Sequence, residues 1–479
     1  MKKNAGWMMF AGYFLTGCMS VGPKYVPPCI DVPCEWATPL KYDLNTDPSI
    51  NFVWWESLND PILNSLIERG ALQNLDVYIA ISRIQEARAV GVGMKAGLYP
   101  HIDATVNYGH VHYSNKILRD ILGKKGLSGS HRDINFFEAG FDAEWEIDLF
   151  GKTAHDIQAS YAEVGASIEG LRDTMVTLSA EIAKNYIELR GQQLLLDLTK
   201  KNIEAQKDTI RLTQSLIQSG FSNIIDQWHT EEQLRLLTAE KPLIELSIQQ
   251  AIHRISILLG FLPGDLFCEL AAHRALPVLP CYKPLGIPSE LLRNRPDIRQ
   301  AEREVAAATE RVGSAMADLF PRLSLRGFIG DLTTNLSQAG FAWFAGPQIL
   351  APIFNSRLIQ QDIDLNKIKT KRAIFTYQKT VLNALEETEN AIASFHQELE
   401  RHQQLSLAQQ YSQQAYEQSF QLYRRGLKDF LEVLVSQRSL NTIEDALLKS
   451  QIQLSKHFIA LYKALGGGWE VTGCCLNDS

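Results

Sequence analysis

The sequence predicts a mainly α fold that carries a membrane β-barrel segment, and three observations predict it. The chain is written twice, each copy holds a pair of segments that alternate in polarity, and each copy holds a proline-free stretch of nearly 70 residues. Together they describe a duplicated half-repeat with four strands per chain and long helices continuing from the strands.

Residues 97–109 (GLYPHIDATVNYG) match residues 318–330 (DLFPRLSLRGFIG), and residues 146–152 (EIDLFGK) answer residues 350–356 (LAPIFNS). Residues 219–234 (SGFSNIIDQWHTEEQL) answer 425–440 (RGLKDFLEVLVSQRSL), and 257–264 (ILLGFLPG) answer 463–470 (KALGGGWE). Pro100 and Pro321 stand 221 positions apart, Gly220 and Gly426 only 206. Pro100 to Phe150 is 50 positions and Pro321 to Phe354 is 33, so 17 extra residues fall between the two strand segments of the first copy. A period this long is a duplicated half, not a solenoid repeat. The first copy occupies residues 49–264 and the second 287–470, with a linker at 265–286 and a tail at 471–479.

The N-terminus reads as a leader. Lys2 and Lys3 form a basic region, and Trp7 to Leu15 form an apolar run of signal-peptide length. That run is well short of the roughly 20 apolar residues that span a bilayer as a helix. Leu15-Thr16-Gly17-Cys18 then fits the bacterial lipobox. Residues 1–17 are expected to be removed, leaving Cys18 with a diacylglycerol group and an N-acyl chain, and no other cofactor is expected. Several acyl chains anchor stably where one is marginal. Met19 stands where an aspartate commonly retains bacterial lipoproteins at the inner membrane, so the outer membrane is favoured. Residues 18–48 form the lipidated leader.

Composition narrows the function classes. A formal charge of −7 argues against nucleic acid as a partner. Of seven cysteines, six remain beside Cys18: Cys29, Cys34, Cys268, Cys281, Cys474 and Cys475. An oxidising compartment permits Cys29 to pair with Cys34, or Cys268 with Cys281. No Cys/His group has zinc spacing; His110/His112 and His396/His402 lack a third partner. No GxSxG, HExxH or phosphate-cradling glycine loop occurs, so no catalytic residue and no enzyme activity are expected. After the leader no run of 18 apolar residues occurs, so a crossing of the membrane must use strands.

Each repeat opens with shorter helices, near residues 74–97 and 297–318, with Asp297 and Gln300 as a capping box and Arg293 and Arg295 as docking residues. The strand hairpins follow, at about 101–149 and 322–354. Phe137, Ala139, Phe141, Ala143, Trp145, Ile147 and Leu149 share one side, and Glu138, Asp142, Glu144, Glu146 and Asp148 take the other. A period of two places unlike solvents on the two faces. Ile102, Ala104, Val106 and Tyr108 alternate with His101, Asp103, Thr105 and Asn107; Leu323, Leu325 and Ile329 alternate with Arg322, Ser324 and Arg326. The fourth strand, Trp343 to Phe354, is the poorest, because Pro347 and Pro352 remove ladder donors.

Helical hairpins at 152–260 and 356–466 complete each repeat. Their first helices reach on the order of 100 Å at about 1.5 Å per residue. Val381, Leu385, Thr388, Ile392, Phe395 and Leu399 step by four and three, a heptad seam. The first copy repeats it at Met175, Ser179, Ile182, Tyr186 and Leu189. Gly220 and Gly426 turn the hairpins, and the second helices return over about 40 residues.

Four strands cannot close a barrel, and an open edge in lipid leaves backbone groups unpaired. Two copies give eight strands, a pore filled by its own side chains; three give twelve and room for solute, so a homotrimer is expected. Acidic residues on the polar face would favour cations, opposed by Arg322 and Arg326.

The segments VGPKY, LLRNRPDIRQAE, EWEIDLFG, GPQILAPIF and YRRGLKDFLEVLVSQRSL, with the duplication, resemble the TolC-like outer-membrane efflux proteins. The lipidated subfamily that works with resistance-nodulation-division pumps is the nearest in pattern. The resemblance implies a trimeric twelve-stranded barrel on a long periplasmic α-helical barrel. It also implies a periplasmic membrane-fusion adaptor and an inner-membrane pump as partners, with outer-membrane lipid around the strands. The function it implies is the exit duct of a tripartite efflux system, passively conducting drugs and toxic compounds.

In that family the periplasmic hairpin turns close the channel. The resemblance puts the gate at Leu431 and Val435, with Asp429, Glu432 and Asp226 supplying nearby charge; Asp226 is the first-copy counterpart of Glu432. Val435 stands where the family commonly carries aspartate, so a ring of aspartates is absent there. Packing of the hairpin is the other reading of Leu431 and Val435. The insert at 114–134 bears Lys116, Arg119, Lys124, Lys125 and Arg132, which suits an extracellular loop near anionic lipid headgroups or a plain solvated loop. A type I protein-secretion outlet and a poreless lipid-anchored coiled-coil scaffold are the alternatives; the scaffold leaves the paired strands unexplained.

Overall fold

The computed structural model describes residues 20–39, 44–45, 53–112, 133–220, 222–280, 283–284, 287–334 and 340–470. The signal peptide, Cys18, the basic insert with Lys116, Arg119, Lys124, Lys125 and Arg132, the tail, and Cys281, Cys474 and Cys475 lie outside the described residues. Helices α1 (Pro61–Gln73) and α2 (Leu75–Ala96) lead into strands β1 (His101–His112) and β2 (Asp133–Ile147), followed by α3 (Lys152–Gln218) and α4 (Ile224–Leu258). The second repeat runs α5 (Pro288–Asn294), α6 (Pro296–Ala317), β3 (Arg322–Thr334), β4 (Gly340–Leu350), α7 (Ser356–Arg424) and α8 (Phe430–Ala464). Both ends of α8 lie 206 positions after those of α4. The chain separates into two compact units, one of Met1–Cys29, Ile84–Ser167 and Ala301–Tyr377, the other of the remaining residues.

In the first unit β1, β2, β3 and β4 form an antiparallel sheet in that order. Glu144 stands opposite His101 on one side and Arg326 on the other, and Arg322 stands opposite Leu350. Because opposed residues share a face, the alternation read in β1, β2 and the start of β3 becomes one largely polar and one apolar surface, with Leu350 of β4 carried onto the polar side opposite Arg322. The fourth strand differs from expectation: it covers Gly340–Leu350, starting three residues before Trp343 and ending before Pro352. Pro347 is accommodated opposite Leu325, on an edge strand where a missing donor is tolerated.

The turn from β2 into α3 is tightly fastened. Phe150 stacks on Phe320 with ring centres 4.7 Å apart. Lys152 Nζ lies 2.6 Å from Asp318 Oδ1. The leader joins this turn: the Val21 N–H donates to the Phe150 carbonyl at 3.1 Å, and Ser20 Oγ lies 2.9 Å from His155 Nε2. His155 Nδ1 in turn lies 2.6 Å from Glu310. Further along, Tyr25 donates to Glu302 at 2.8 Å, and burial together with that carboxylate raises the Tyr25 pKa. Cys29 and Cys34 are exposed free thiols, so the disulfide considered between them is not formed; Cys268 is also free.

The second unit holds the larger core. Trp54 packs between Trp55, Phe458 and Tyr462, and Leu63, Leu66, Ile67 and Ile182 complete the centre. Met175, Ser179, Ile182, Tyr186 and Leu189 of α3 are all buried, as are Val381, Thr388, Ile392 and Phe395 of α7, while Leu385 and Leu399 are half-buried. Asp297 is not an N-cap. The helix starts one residue earlier, at Pro296, and the Asp297 carboxylate receives the Arg295 guanidinium at 2.7 and 3.1 Å. Arg295 also donates to the Ala464 carbonyl at the end of α8 and to Glu387. Burial works against this charge, but the two carboxylates outweigh it and hold the guanidinium protonated. The cation thus sits at a helix C-terminus, where carbonyls lack partners.

Both hairpins turn on a left-handed glycine, Gly220 at φ 73° and Gly426 at φ 71°. At the second turn Leu427 N–H donates to the Leu422 carbonyl at 3.0 Å and Gly426 N–H to the Tyr423 carbonyl at 2.8 Å, a Schellman cap. Nothing lies within 4 Å of where a Cβ on Gly426 would sit, so a side chain there would meet only backbone strain. Gly426→Ala is expected to cost about 1–2 kcal/mol locally. Hydrogen exchange of the Gly426 and Leu427 amides should then rise by roughly tenfold, with Gly426→Asn closer to the parent.

Candidate channel face and hairpin tip

The sheet's polar face is built by register. Glu138, Asp142, Glu144 and Glu146 of β2 share it with His101, Asp103, Thr105 and Asn107 of β1 and with Arg322, Ser324 and Arg326 of β3. Asn107 Nδ2 donates to Glu138 at 3.2 Å and Thr105 Oγ1 to Asp142 at 2.7 Å. Arg326 lies 3.0 Å from Glu144, so these directly opposed charges cancel. Arg322 is drawn to Asp318 at 2.6 Å, the same carboxylate oxygen that binds Lys152. The face keeps an acidic surplus at Glu138, Asp142 and Glu146. Asp148 does not belong to it: it follows the last strand residue, and its carboxylate accepts the Ala154 N–H at 2.8 Å in the first turn of α3. A helix N-terminus draws a carboxylate in this way.

Sequence reading missed three aromatics on this face: Phe136, whose ring lies over Gly109, and the pair Phe328 and Phe344. Phe328 stands opposite Asp142 and Phe344, and the two rings stack at 6.3 Å. The Phe328 ring is buried because it lies over Gly140 and Gly330, whose missing side chains leave room for it. The signal was the RGFIG stretch, a phenylalanine beside glycines in a strand. On the opposite face Ile102, Val106, Tyr108, Phe141, Ile329, Phe341, Trp343 and Ile349 are exposed, an apolar surface that no described residue covers.

The tip residues separate into two groups. Phe430 is buried against Tyr423, ring centres 5.2 Å apart, and Val433, Gln437 and Leu440 follow it inward. Burial, and Asp226 after it, raise the Tyr423 pKa. Leu431 and Val435 point the other way, 58% and 61% exposed, so they do not pack the hairpin. Asp226 forms a capping box with Asn223 and accepts from Ser222 Oγ at 2.7 Å. Glu432 pairs with Lys428 at 3.1 Å, and Asp429 occupies the N-cap of α8 without a side-chain cap bond. The charges expected at the gate are therefore engaged locally at Asp226 and Glu432. Leu431, Leu434 and Val435 line a groove of about 480 Å³ with Gln206, His229 and Gln437. Ile225 and Trp228, the first-copy counterparts of Leu431 and Leu434, are also exposed. Subtracting the repeat offset of 206 from Leu431 would have found Ile225, whereas Trp228 answers Leu434, outside the expected gate pair. Among the described residues no His, Cys, Asp and Glu group could hold a metal ion. No described helix is long and apolar enough to cross a membrane.

Comparison with known proteins bears directly on this geometry. The family model described as "Outer membrane efflux protein" matches residues 66–260 and 287–467. The nodulation protein T of Rhizobium leguminosarum bv. trifolii is 29% identical over 467 residues, covering 96% of each chain. The pyoverdine export outer membrane protein OpmQ of Pseudomonas aeruginosa is 30% identical over 432 residues, covering 87% of each. The solved outer-membrane channel OprN superposes with a TM-score of 0.85 at 32% identity, covering 94% of this chain and 99% of that one.

Replacing both Leu431 and Val435 with serine tests the tip directly. Exposed positions of this kind change stability by no more than about 0.5 kcal/mol, so the melting temperature should hold. Single-channel conductance in planar bilayers should rise if these side chains narrow the passage. An unchanged conductance would remove them from the gate.

Proposed function

Because the chain belongs to the outer membrane efflux protein family, we propose that it is the trimeric exit duct through which a pump and its adaptor discharge small molecules across the outer membrane. The single observation that carries this reading is the four-stranded sheet, polar on one face and apolar on the other, with both outer edges open. Three copies supply twelve strands, enough for a lumen that side chains do not fill. The polar face lines the water and the apolar face meets lipid. Nothing in this passage drives transport; the energy belongs to the pump, and solute moves down its gradient.

Cys18 carries the acyl chains that hold the leader at the membrane. The contacts of Val21 and Ser20 with the β2–α3 turn support this reading, since they hold the chain beside the strands only two residues beyond Cys18. Glu138, Asp142 and Glu146 give the lumen a weak preference for cations, reduced by the Glu144–Arg326 pair. At the tip Leu431 and Val435 form the apolar part of the closed passage. Relatives named for toluene efflux and for pyoverdine export support small organic molecules as the cargo class.

A deletion strain should become sensitive to dyes and antibiotics, and affinity capture of the full-length chain should recover an adaptor. Normal tolerance after deletion, with secretion of a protein lost, would favour the protein-secretion outlet. In planar bilayers, Glu138→Gln combined with Asp142→Asn and Glu146→Gln should reduce the cation preference. Anion selectivity in the parent channel would remove the assignment of these residues.

A further inference from the structure

We propose that a basic groove between α3, α4 and α8 binds amphiphilic organic anions and opens onto the passage of the duct. Its placement on the passage rests on the channel reading; the groove's chemistry does not.

The groove holds about 680 Å³, within the range that admits a drug-sized molecule. Lys184 of α3, Arg254 of α4, and Lys456 and Lys463 of α8 line it. Two of these cations are already paired. Arg254 lies 2.8 Å from Glu181, and Lys456 pairs with Glu188. Lys184 and Lys463 are exposed and form no ion pair among the described residues. Lys463 acts on the half-buried Asp173 carboxyl through its charge alone. His457, also in the lining, adds no charge at neutral pH, because burial lowers its pKa. The groove therefore keeps an uncompensated positive charge at Lys184 and at Lys463.

The floor is apolar. Ala180 and Ile459 are buried there, and Ala460 stands between Lys456 and Lys463, which are two turns apart on α8. Small side chains leave the depression, and the lysines frame it. A sulfonate or carboxylate at the lysines, with hydrocarbon against Ala180, Ile459 and Ala460, meets both parts of this surface. A bare inorganic anion would leave the floor wet, and an uncharged hydrocarbon would gain nothing from the lysines.

The duplication shows that packing does not require these charges. The offset of 206 carries Lys184 to Asn390 and Arg254 to Ala460, and carries Lys456 and Lys463 back to Gln250 and Ile257. The other repeat thus places no charge at any of the corresponding positions, although its helices are built to the same plan.

The direction of the groove follows from the core. Trp54 packs on Phe458 and Tyr462 of α8, and Gly70 of α1 lies against Ile182 of α3. Lys456 is two residues from Phe458 and Lys184 two from Ile182, so at about 100° per residue both lysines lie on the far side of their helices. Where α3, α4 and α8 wall a passage, a layer packed on that wall leaves the passage open only by lying outside it. The lysine face then turns inward.

Naphthalene-2-sulfonate, a sulfonate on an apolar ring, is a suitable probe. In equilibrium dialysis with the full-length protein in an uncharged detergent, the parent should bind it. Lys184→Gln with Lys463→Gln should bind it roughly tenfold more weakly, through loss of two charged contacts. Lys184→Glu with Lys463→Glu should reverse the preference, toward 1-naphthylmethylammonium. In planar bilayers the sulfonate should reduce the parent's conductance, at concentrations about tenfold lower than those needed for the glutamine variant. No binding by the parent, or equal binding by the parent and both variants, overturns the site. Binding that follows the lysines but leaves the current of a conducting parent unchanged overturns its placement on the passage. A parent that forms no channels, with binding that still follows the lysines, overturns the channel reading instead.

Discussion

The unpaired edges of the sheet govern everything else about this chain. Among the described residues no strand pairs with the outer sides of β1 and β4, so their backbone N–H and C=O groups there lack a ladder partner within one copy. Water would satisfy them, but the exposed Ile102, Val106, Phe341, Trp343 and Ile349 beside them mark a surface made for hydrocarbon. In lipid each unsatisfied group costs several kcal/mol, so the isolated chain has no stable place in the membrane. Association is therefore part of folding, and the pore is a consequence of closing the ring. The long helices share this dependence, since α3 starts only five residues after β2 and α7 only six after β4.

Much of this was legible because a duplication gives each reading a second, independent test. The periods of two and of three to four, the glycine turns and the 206-residue offset all recur. The β2 alternation and the buried heptad seam emerged where the pattern put them. Less legible were facts that depend on neighbours. Pro347 made β4 read poorly, because a sequence does not say which side of a strand lies at an edge. Asp148 continued the alternation of β2 by parity, yet the strand stops at Ile147 and a helix terminus claims its carboxylate. Asp297 resembled a cap, but Arg295, two residues before it, took the carboxylate. In each case periodicity named a face, while register and helix ends decided the partner.

The leader follows the same division. Its proline-rich composition gave no secondary structure, yet its polar groups are specifically received. The sequence contains no local sign that His155 would bridge Ser20 and Glu310, because 135 and 155 positions separate these pairs. Tyr25 and Glu302 are likewise distant in sequence. Buried polar groups find partners wherever the fold brings them, and such pairs become visible only when the elements are placed. The free thiols of Cys29 and Cys34 belong to this lesson, since short spacing invites a disulfide that the leader's path does not make.

The apolar residues at the tip and on the sheet are equally exposed in one copy, but their solvents differ. Lipid accepts Val106 and Ile349 without penalty. No lipid reaches residues that lie in a periplasmic tip, so Leu427, Leu431, Val435 and Trp228 there face water unless other protein covers them. Each square ångström of that surface left wet costs roughly 25 cal/mol. If the tips of three copies converge in the closed passage, they hide this surface from water, and separation must expose it again. A partner that offers apolar cover lowers that cost only in the open state, which is the differential affinity any opening ligand requires. Local charge reinforces the argument: Glu432 is already engaged by Lys428 and Asp226 by its own cap, so repulsion between carboxylates is a poor candidate for forcing the tip apart. If these tips form the closed passage, opening it exchanges apolar contacts, and a valine at position 435 adds no charge to that exchange.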